Sequence, residues 1–261
     1  MNKLFEFRLG DYRGAILLVF FFVIALEAFL SWKKDLRNYN LKETASNVII
    51  LIGLQLSKFL FASYQLWMLH LFSTMAFFHI SKNWLTFLLA FIVVDFLFYW
   101  YHFLSHRFKL LWAFHLIHHS SPWMNLTTAY RLNWLGVLIS PIFFLLAVII
   151  GFAPSTVAVC IAINLVYQFF LHTELVSKLG WLEKFLNTPS NHRVHHGSNV
   201  KYIDKNFGGF LIIWDRLFGT YQEEEEKPIY GITTGFVSHN PIVLVFHGFV
   251  DLLRGKMNSK G

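Results

Sequence analysis

Residues 84–119 read WLTFLLAFIVVDFLFYWYHFLSHRFKLLWAFHLIHH, an apolar run that empties into a cluster of histidines. The apolar part, 84–103, carries one acidic group, Asp95, and has the length of a membrane helix. Five histidines then fall within 102–119, where an even spread of the chain's 13 would put roughly one. His102 and His106 are four residues apart, and His115, His118 and His119 are three and four apart. Side chains at these separations share a helical face. His192, His195 and His196 repeat the spacing, and His172 ends a further apolar run. Each cluster therefore reads as a clamp of two or three imidazoles, with His172 closing the same end.

Composition agrees with a membrane setting. The chain is 56% hydrophobic and 14% charged, which excludes an ordinary soluble enzyme and a disordered chain. One cysteine, Cys160, excludes a disulfide framework and a cysteine-based zinc site. The net charge of +7 is not gathered into an Arg/Lys-rich run, so a membrane face is favoured over nucleic acid. Further apolar runs lie at 14–32, 46–80, 134–152 and 156–172, giving about five membrane helices in all. The first follows Arg13, ends at Trp32-Lys33-Lys34 without a small-x-small cleavage site, and reads as a retained anchor. Region 46–80 is too long for one simple span and reads as either a long tilted helix or a tight hairpin. The connector 151–155 is uncharged, whereas ten Lys/Arg follow His172. The positive-inside bias then puts 104–133 and 173–235 on the cytoplasmic side. Residues 241–256 are apolar but short, and read as a packed or interfacial helix. The expectation is a single all-α, multi-pass integral membrane domain over 1–261, with a cytoplasmic histidine-rich helical cap holding a dinuclear metal site.

Clustered protonated imidazoles would repel one another, and neutral ones need partners; a metal ion answers both needs. A structural site takes about four ligands, so His102, His106, His115, His118, His119, His172, His192, His195 and His196 suit two ions rather than one. The clusters hold no carboxylate, which argues against Mg²⁺ and Ca²⁺, while imidazole suits iron, copper, nickel and zinc alike. Asp95 precedes His102 by two helical turns and is expected to accept the outer N–H of a ligand imidazole. Glu174, Asn191 and Asp215 are further candidates for the catalytic surroundings, with Gln168 and Asp204 beside them. His70, His79, His239 and His247 stand alone and are not expected to be ligands. Phe96, Phe98, Tyr99, Trp100, Phe169 and Phe170 are candidates to line a substrate path. No Rossmann fingerprint, P-loop or haem-attachment motif is present, so electrons must come from a donor protein or a diffusible reductant.

The pattern H-x3-H, H-x2-H-H, H-x2-H-H resembles the fatty acid hydroxylase/sterol desaturase superfamily over about Trp84 to Gly231. The segments WAFHLIHHSS (112–121), NLTTAYR (125–131), HTE (172–174), NTPSNHRVHHG (187–197) and DKNFGGFLIIWDRLFGT (204–220) resemble its alkylglycerol monooxygenase-like branch. The resemblance implies two Fe²⁺ ions on the nine histidines, O₂ as oxidant, a membrane lipid as substrate and, in this branch, tetrahydropterin as reductant. One departure is that the branch has a histidine where this chain has Asn191. The implied activity is O₂-dependent attack on a lipid C–H bond: hydroxylation or desaturation of an alkyl, acyl or sterol substrate, or ether-lipid cleavage. The alternative is a histidine-rich metal-handling or transport protein, which would need polar residues along a mid-span path; there Asn164 stands nearly alone.

Overall fold

The computed structural model describes residues 13–257; the ends of the expected 1–261 domain lie outside these residues. The described residues are helical, with two isolated β-bridges, Leu186–Leu211 and Gly197–Tyr230, and no strand. In chain order the helices are α1 (Arg13–Lys33), α2 (Leu41–Leu60), α3 (Ala62–Ser73), α4 (Trp84–Arg107) and α5 (Lys109–His119). They continue with α6 (Gly136–Ile150), α7 (Pro154–Phe169), α8 (Pro189–His195), α9 (Ile213–Phe218) and α10 (Pro241–Leu253). Short polar residues set the starts. The Asn40 side chain accepts from the Lys42 and Glu43 amides, and Asn83 forms a reciprocal cap with Thr86 at the head of α4. Pro154 and Pro241 occupy first turns, where a missing N–H costs nothing.

By length and composition α1 (from Gly14) and α4 can cross a membrane, and α2 with α3 forms one broken segment bent by 53°. Region 46–80, expected as one long tilted helix or a tight hairpin, thus holds two helices that meet at this bend. Contacts from α6 hold the bend. Pro141 lacks the N–H that would bond the Val137 carbonyl in α6. The Gln65 side chain donates to that carbonyl at 3.0 Å, and the Tyr64 hydroxyl donates to Leu138 at 3.3 Å. The first turn of α3 is thereby tied to the first turn of α6. Expected spans 134–152 and 156–172 also shorten, to helices of 15 and 16 residues. At 1.5 Å per residue these reach about 22–24 Å, less than a hydrocarbon core of about 30 Å.

The core lies between α4, α6 and α7, where Val94, Leu97 and Phe98 meet Phe144, Val148 and Cys160. α1 stands outside it, with Leu17, Leu18, Phe21 and Phe22 exposed. α10 packs on α5; a Cβ at Gly248 would stand 2.5 Å from the Ala113 carbonyl, so glycine sets that close approach. Segment 241–256 is thus a packed helix ending at Leu253. Arg131, fully buried, joins the cap together. It pairs with Glu43 of α2, donates to Ile117 O at 3.1 Å, and donates to Ser120 Oγ at 2.6 Å.

Candidate metal centre

Four elements deliver the nine histidines. His102 and His106 end α4, His115, His118 and His119 end α5, His172 follows α7, and α8 with the residue that caps it supplies His192, His195 and His196. Eight are buried and His115 is half-buried. They form two groups, each with ligand atoms within 4.8 Å of one another: His102, His106, His115, His119 and His195, and His118, His172, His192 and His196. The three sequence clusters are therefore not three clamps. At 100° per residue, positions i and i+4 differ by about 40°, while i+3 and i+4 differ by about 100°. The i/i+4 pairs 102/106, 115/119 and 192/196 each stay in one group. His118 and His195, at i+3, turn to the other.

The tautomers follow from backbone carbonyls, which only accept. His102 Nδ1 lies 2.8 Å from Phe207 O, His172 Nδ1 2.8 Å from Gln168 O, and His195 Nδ1 2.9 Å from Lys205 O. Each Nδ1 carries the hydrogen, leaving Nε2 as a bare lone pair. The Nε2 atoms converge. His102 Nε2 is 3.0 Å from His115 Nε2, which is 3.1 Å from His119 Nε2. His172 Nε2 is 3.3 Å from His118 Nε2 and 3.0 Å from His192 Nε2, which is 3.1 Å from His196 Nε2. His195 Nε2 is buried with no hydrogen-bond partner. Two nitrogens bound at about 2.0–2.1 Å to one ion, 90–110° apart, would be separated by about 2.8–3.4 Å. The donor set fits two transition-metal ions. Burial first, and then the neighbouring imidazoles, hold His115, His118, His119, His192 and His196 well below the usual imidazole range. Burial does the same to His195. The neutral form that binds metal is thus the resting form.

Two carboxylates brace the loop that carries the Phe207 carbonyl. Asp215 accepts from the Phe207 and Gly208 amides, each at 2.7 Å, and from Thr220 Oγ1 at 2.7 Å. Burial raises its pKa to about 6. Asp95 accepts from the Phe210 amide at 2.8 Å, the Leu211 amide at 3.1 Å, Trp214 Nε1 at 2.8 Å and Asn164 Nδ2 at 2.6 Å. The expected bond from Asp95 to an imidazole is not formed. Seven residues preserve direction around the helix but separate the side chains by about 10 Å along it. Glu174 accepts from the Tyr230 hydroxyl at 3.2 Å, and Asn191 Nδ2 donates to Leu186 O at 3.2 Å. Neither is hydrogen-bonded to a histidine. His239 lies 3.2 Å from Glu43 and His247 lies 3.2 Å from Asp251, outside both groups, as are His70 and His79. The carbonyls of Gln168, Lys205 and Phe207 escaped the sequence reading because no side-chain type marks them.

An apolar cavity of about 410 Å³ ends on His102, His115, His118 and His172, which come from both groups. Phe98 and Phe169 line it as expected. Phe96, Tyr99 and Trp100 instead pack on Phe218, and Phe170 sits beside Phe20.

The sequence profile of the fatty acid hydroxylase family matches residues 87–220, just over half of the chain and all nine histidines. Alkylglycerol monooxygenase from Homo sapiens is 50% identical over 159 residues, covering 60% of this chain and 35% of that protein. The Danio rerio alkylglycerol monooxygenase is 54% identical over 149 residues, covering 57% and 33%. An ornithine lipid hydroxylase from Rhizobium tropici is 28% identical over 134 residues, covering 51% and 40%. The chain spans about a third of the length of the alkylglycerol monooxygenases it matches. No solved structure gives a significant match.

Proposed function

The chain belongs to the fatty acid hydroxylase family, and from that premise we propose that it is an iron-dependent membrane monooxygenase that hydroxylates a carbon of a lipid chain. The observation that carries this reading is the apolar cavity ending on histidines from both groups. His102, His106, His115, His119 and His195 would hold one Fe²⁺, and His118, His172, His192 and His196 the other. Bound iron supplies the electron transfer to O₂ that no side chain offers. The protein supplies the rest. The Phe207, Gln168 and Lys205 carbonyls fix the tautomers of three ligand histidines, as outer partners of ligating imidazoles do. Phe98, Phe144 and Phe169 wall the cavity against water and hold an apolar chain against its histidine end. Alkylglycerols and ornithine lipids, which name the relatives, are both lipids. Hydroxylating a carbon beside an ether oxygen gives a hemiacetal, which separates into an alcohol and an aldehyde, so one hydroxylation reaction serves both. Electrons come from outside the chain, from a donor protein or a diffusible reductant such as tetrahydropterin.

We read the membrane arrangement as multi-pass. α6 and α7 form a short pair joined at the uncharged connector 151–155, and the histidine cap faces the cytoplasm with the basic tail. The function is tested on protein loaded anaerobically with iron, in nanodiscs of host membrane lipid, exposed to oxygen-18 gas and a reductant. Label in one lipid class, with two irons per chain, is expected. Loss of two hydrogens without label would move the reading to desaturation. Unchanged lipids at two irons per chain, with every reductant supplied, would overturn it.

A further inference from the structure

The cavity has a polar feature that metal chemistry does not use. Leu51, Leu54, Gln55 and Lys58 of α2 line one wall. Their spacing is a single helical stripe that spans about 10 Å along the axis. The cap-side end of this stripe adjoins Ile50, which packs on Ile117 beside His118. The other end is Lys58. No aspartate, glutamate, arginine or second lysine lines the cavity among the described residues, and no ion pair holds Lys58.

Depth matters as much as charge. Lys58 shares the cavity wall with Gly136, Val137 and Ser140, the start of α6. The segment around it is tied to that same end of α6. Trp134 Nε1 donates to Ile50 O at 2.9 Å, and Gln65 donates to Val137 O at 3.0 Å. Asn133, just before α6, donates to Val245 O of α10 at 2.7 Å. The ammonium therefore sits at the mouth of an apolar chamber, at the end of the stripe away from Ile50 and beside the start of α6, where it is exposed. A basic residue within an apolar span is costly and is kept for a partner.

We infer that Lys58 selects the substrate by its head: the cavity takes a single-chain lipid bearing an anionic oxygen group, phosphate or carboxylate, with Lys58 as the counter-ion and the chain directed toward the histidines. This rests on the lipid-oxygenase reading for its meaning but not for its test. Gln55, one turn before Lys58, and Ser140 offer neutral donors to the same group. A charge-assisted hydrogen bond at such a mouth corresponds to a preference of about 10–100-fold.

The test measures binding by native mass spectrometry of the full chain in a neutral detergent. Three probes share one saturated sixteen-carbon chain: hexadecyl phosphate, palmitate and 1-O-hexadecylglycerol. At least one anionic probe is expected to bind about tenfold or more tightly than the glycerol probe. Lys58→Met should erase that preference, and Lys58→Arg should keep it. The stronger of the two anionic probes identifies phosphate or carboxylate as the head. Equal binding of all three probes, or a preference that survives Lys58→Met, would overturn the assignment; the second result is also what simple snorkelling of Lys58 to bulk headgroups predicts. Oxygen-18 incorporation is scored separately, so a preserved binding preference without turnover would reject the oxygenase reading alone.

Discussion

Replacing Asp95 with asparagine should loosen one metal site from a distance. The Asp95 carboxylate accepts four hydrogen bonds, two on each oxygen: Asn164 and Phe210 on Oδ1, Leu211 and Trp214 on Oδ2. An amide keeps one acceptor oxygen and turns an NH₂ toward the other two donors. Two bonds to a charged group, at about 1.5–3 kcal/mol each, would be lost. Removing a buried charge returns part of that, so the net cost to the loop is about 2–3 kcal/mol. The loop carries the Phe207 carbonyl that orients His102, and loss of an outer partner typically lowers metal affinity about 10–100-fold. Because Asp95 acts through the loop and not on the imidazole, the lower end, about tenfold, is expected. The assay is a Co²⁺ titration of metal-free protein, followed by visible absorption, with helix content checked by circular dichroism. Asp95→Asn should weaken one of two binding phases and leave the phase of His118, His172, His192 and His196 in place. Two unchanged phases, or two phases weakened alike at constant helix content, would refute the reasoning.

The division of the histidines predicts separable losses: His106→Ala and His172→Ala should each abolish a different one of two Co²⁺ phases, whereas His247→Ala should leave both. Loss of the same phase in the first two variants would contradict the assignment. Acid should destabilise the metal-free protein. The buried imidazoles titrate well below the unfolded value, so as pH falls through about 6.5 the unfolded chain takes up protons that the fold refuses. Thermal melting should therefore drop between about pH 7 and 5, and a flat or rising profile would oppose it. Gly248→Val should separate α10 from α5, because its Cβ meets backbone at Ala113. A loss of about 1–3 kcal/mol or more in denaturant unfolding is expected, and an unchanged midpoint would mean the helices shift freely.

The all-helical class and the gathering of the nine histidines were legible because each rests on a strong local signal. Long apolar runs leave few alternatives to helix, and histidines spaced three and four apart on helices can only point in a few directions. The failures occurred where a distant residue decided. Nothing within 46–80 marks a bend at Phe61, because its cause is Pro141, which frees the Val137 carbonyl for Gln65. Likewise 134–152 reads as a full span by hydropathy, but the residues at its start are spent on contacts to other helices: Asn133, just before it, to Val245 of α10 and Trp134 to Ile50 of α2. Hydropathy reports what a segment tolerates, not where its polar ends find partners.

The same distinction explains the site. Spacing alone placed His115, His118 and His119 on one face, yet a face 100° wide can serve two centres if a second helix arrives with the complementary offset. α5 and α8 each carry the sequence H-x2-H-H, or its equivalent i, i+3, i+4 positions, and each gives its i/i+4 pair to one group and its i+3 member to the other. The exchange is reciprocal: α5 sends its pair, His115 and His119, to the group that receives His195, and α8 sends its pair, His192 and His196, to the group that receives His118. α4 completes the first with His102 and His106, and His172 completes the second. This reciprocity makes the two groups mutually dependent, since rotating either helix by one residue would misdirect ligands in both. It also accounts for Asp95 and Asp215 bonding to the 207–211 loop rather than to an imidazole, while Asp204 lies beside a ring, its Oδ1 3.5 Å from His106 Nδ1. With three helices already fixing the rings, the remaining freedom is the rotation of each imidazole. Backbone carbonyls control that rotation at His102 and His195, and for His102 the buried Asp215 and Asp95 hold the loop carrying the carbonyl in place.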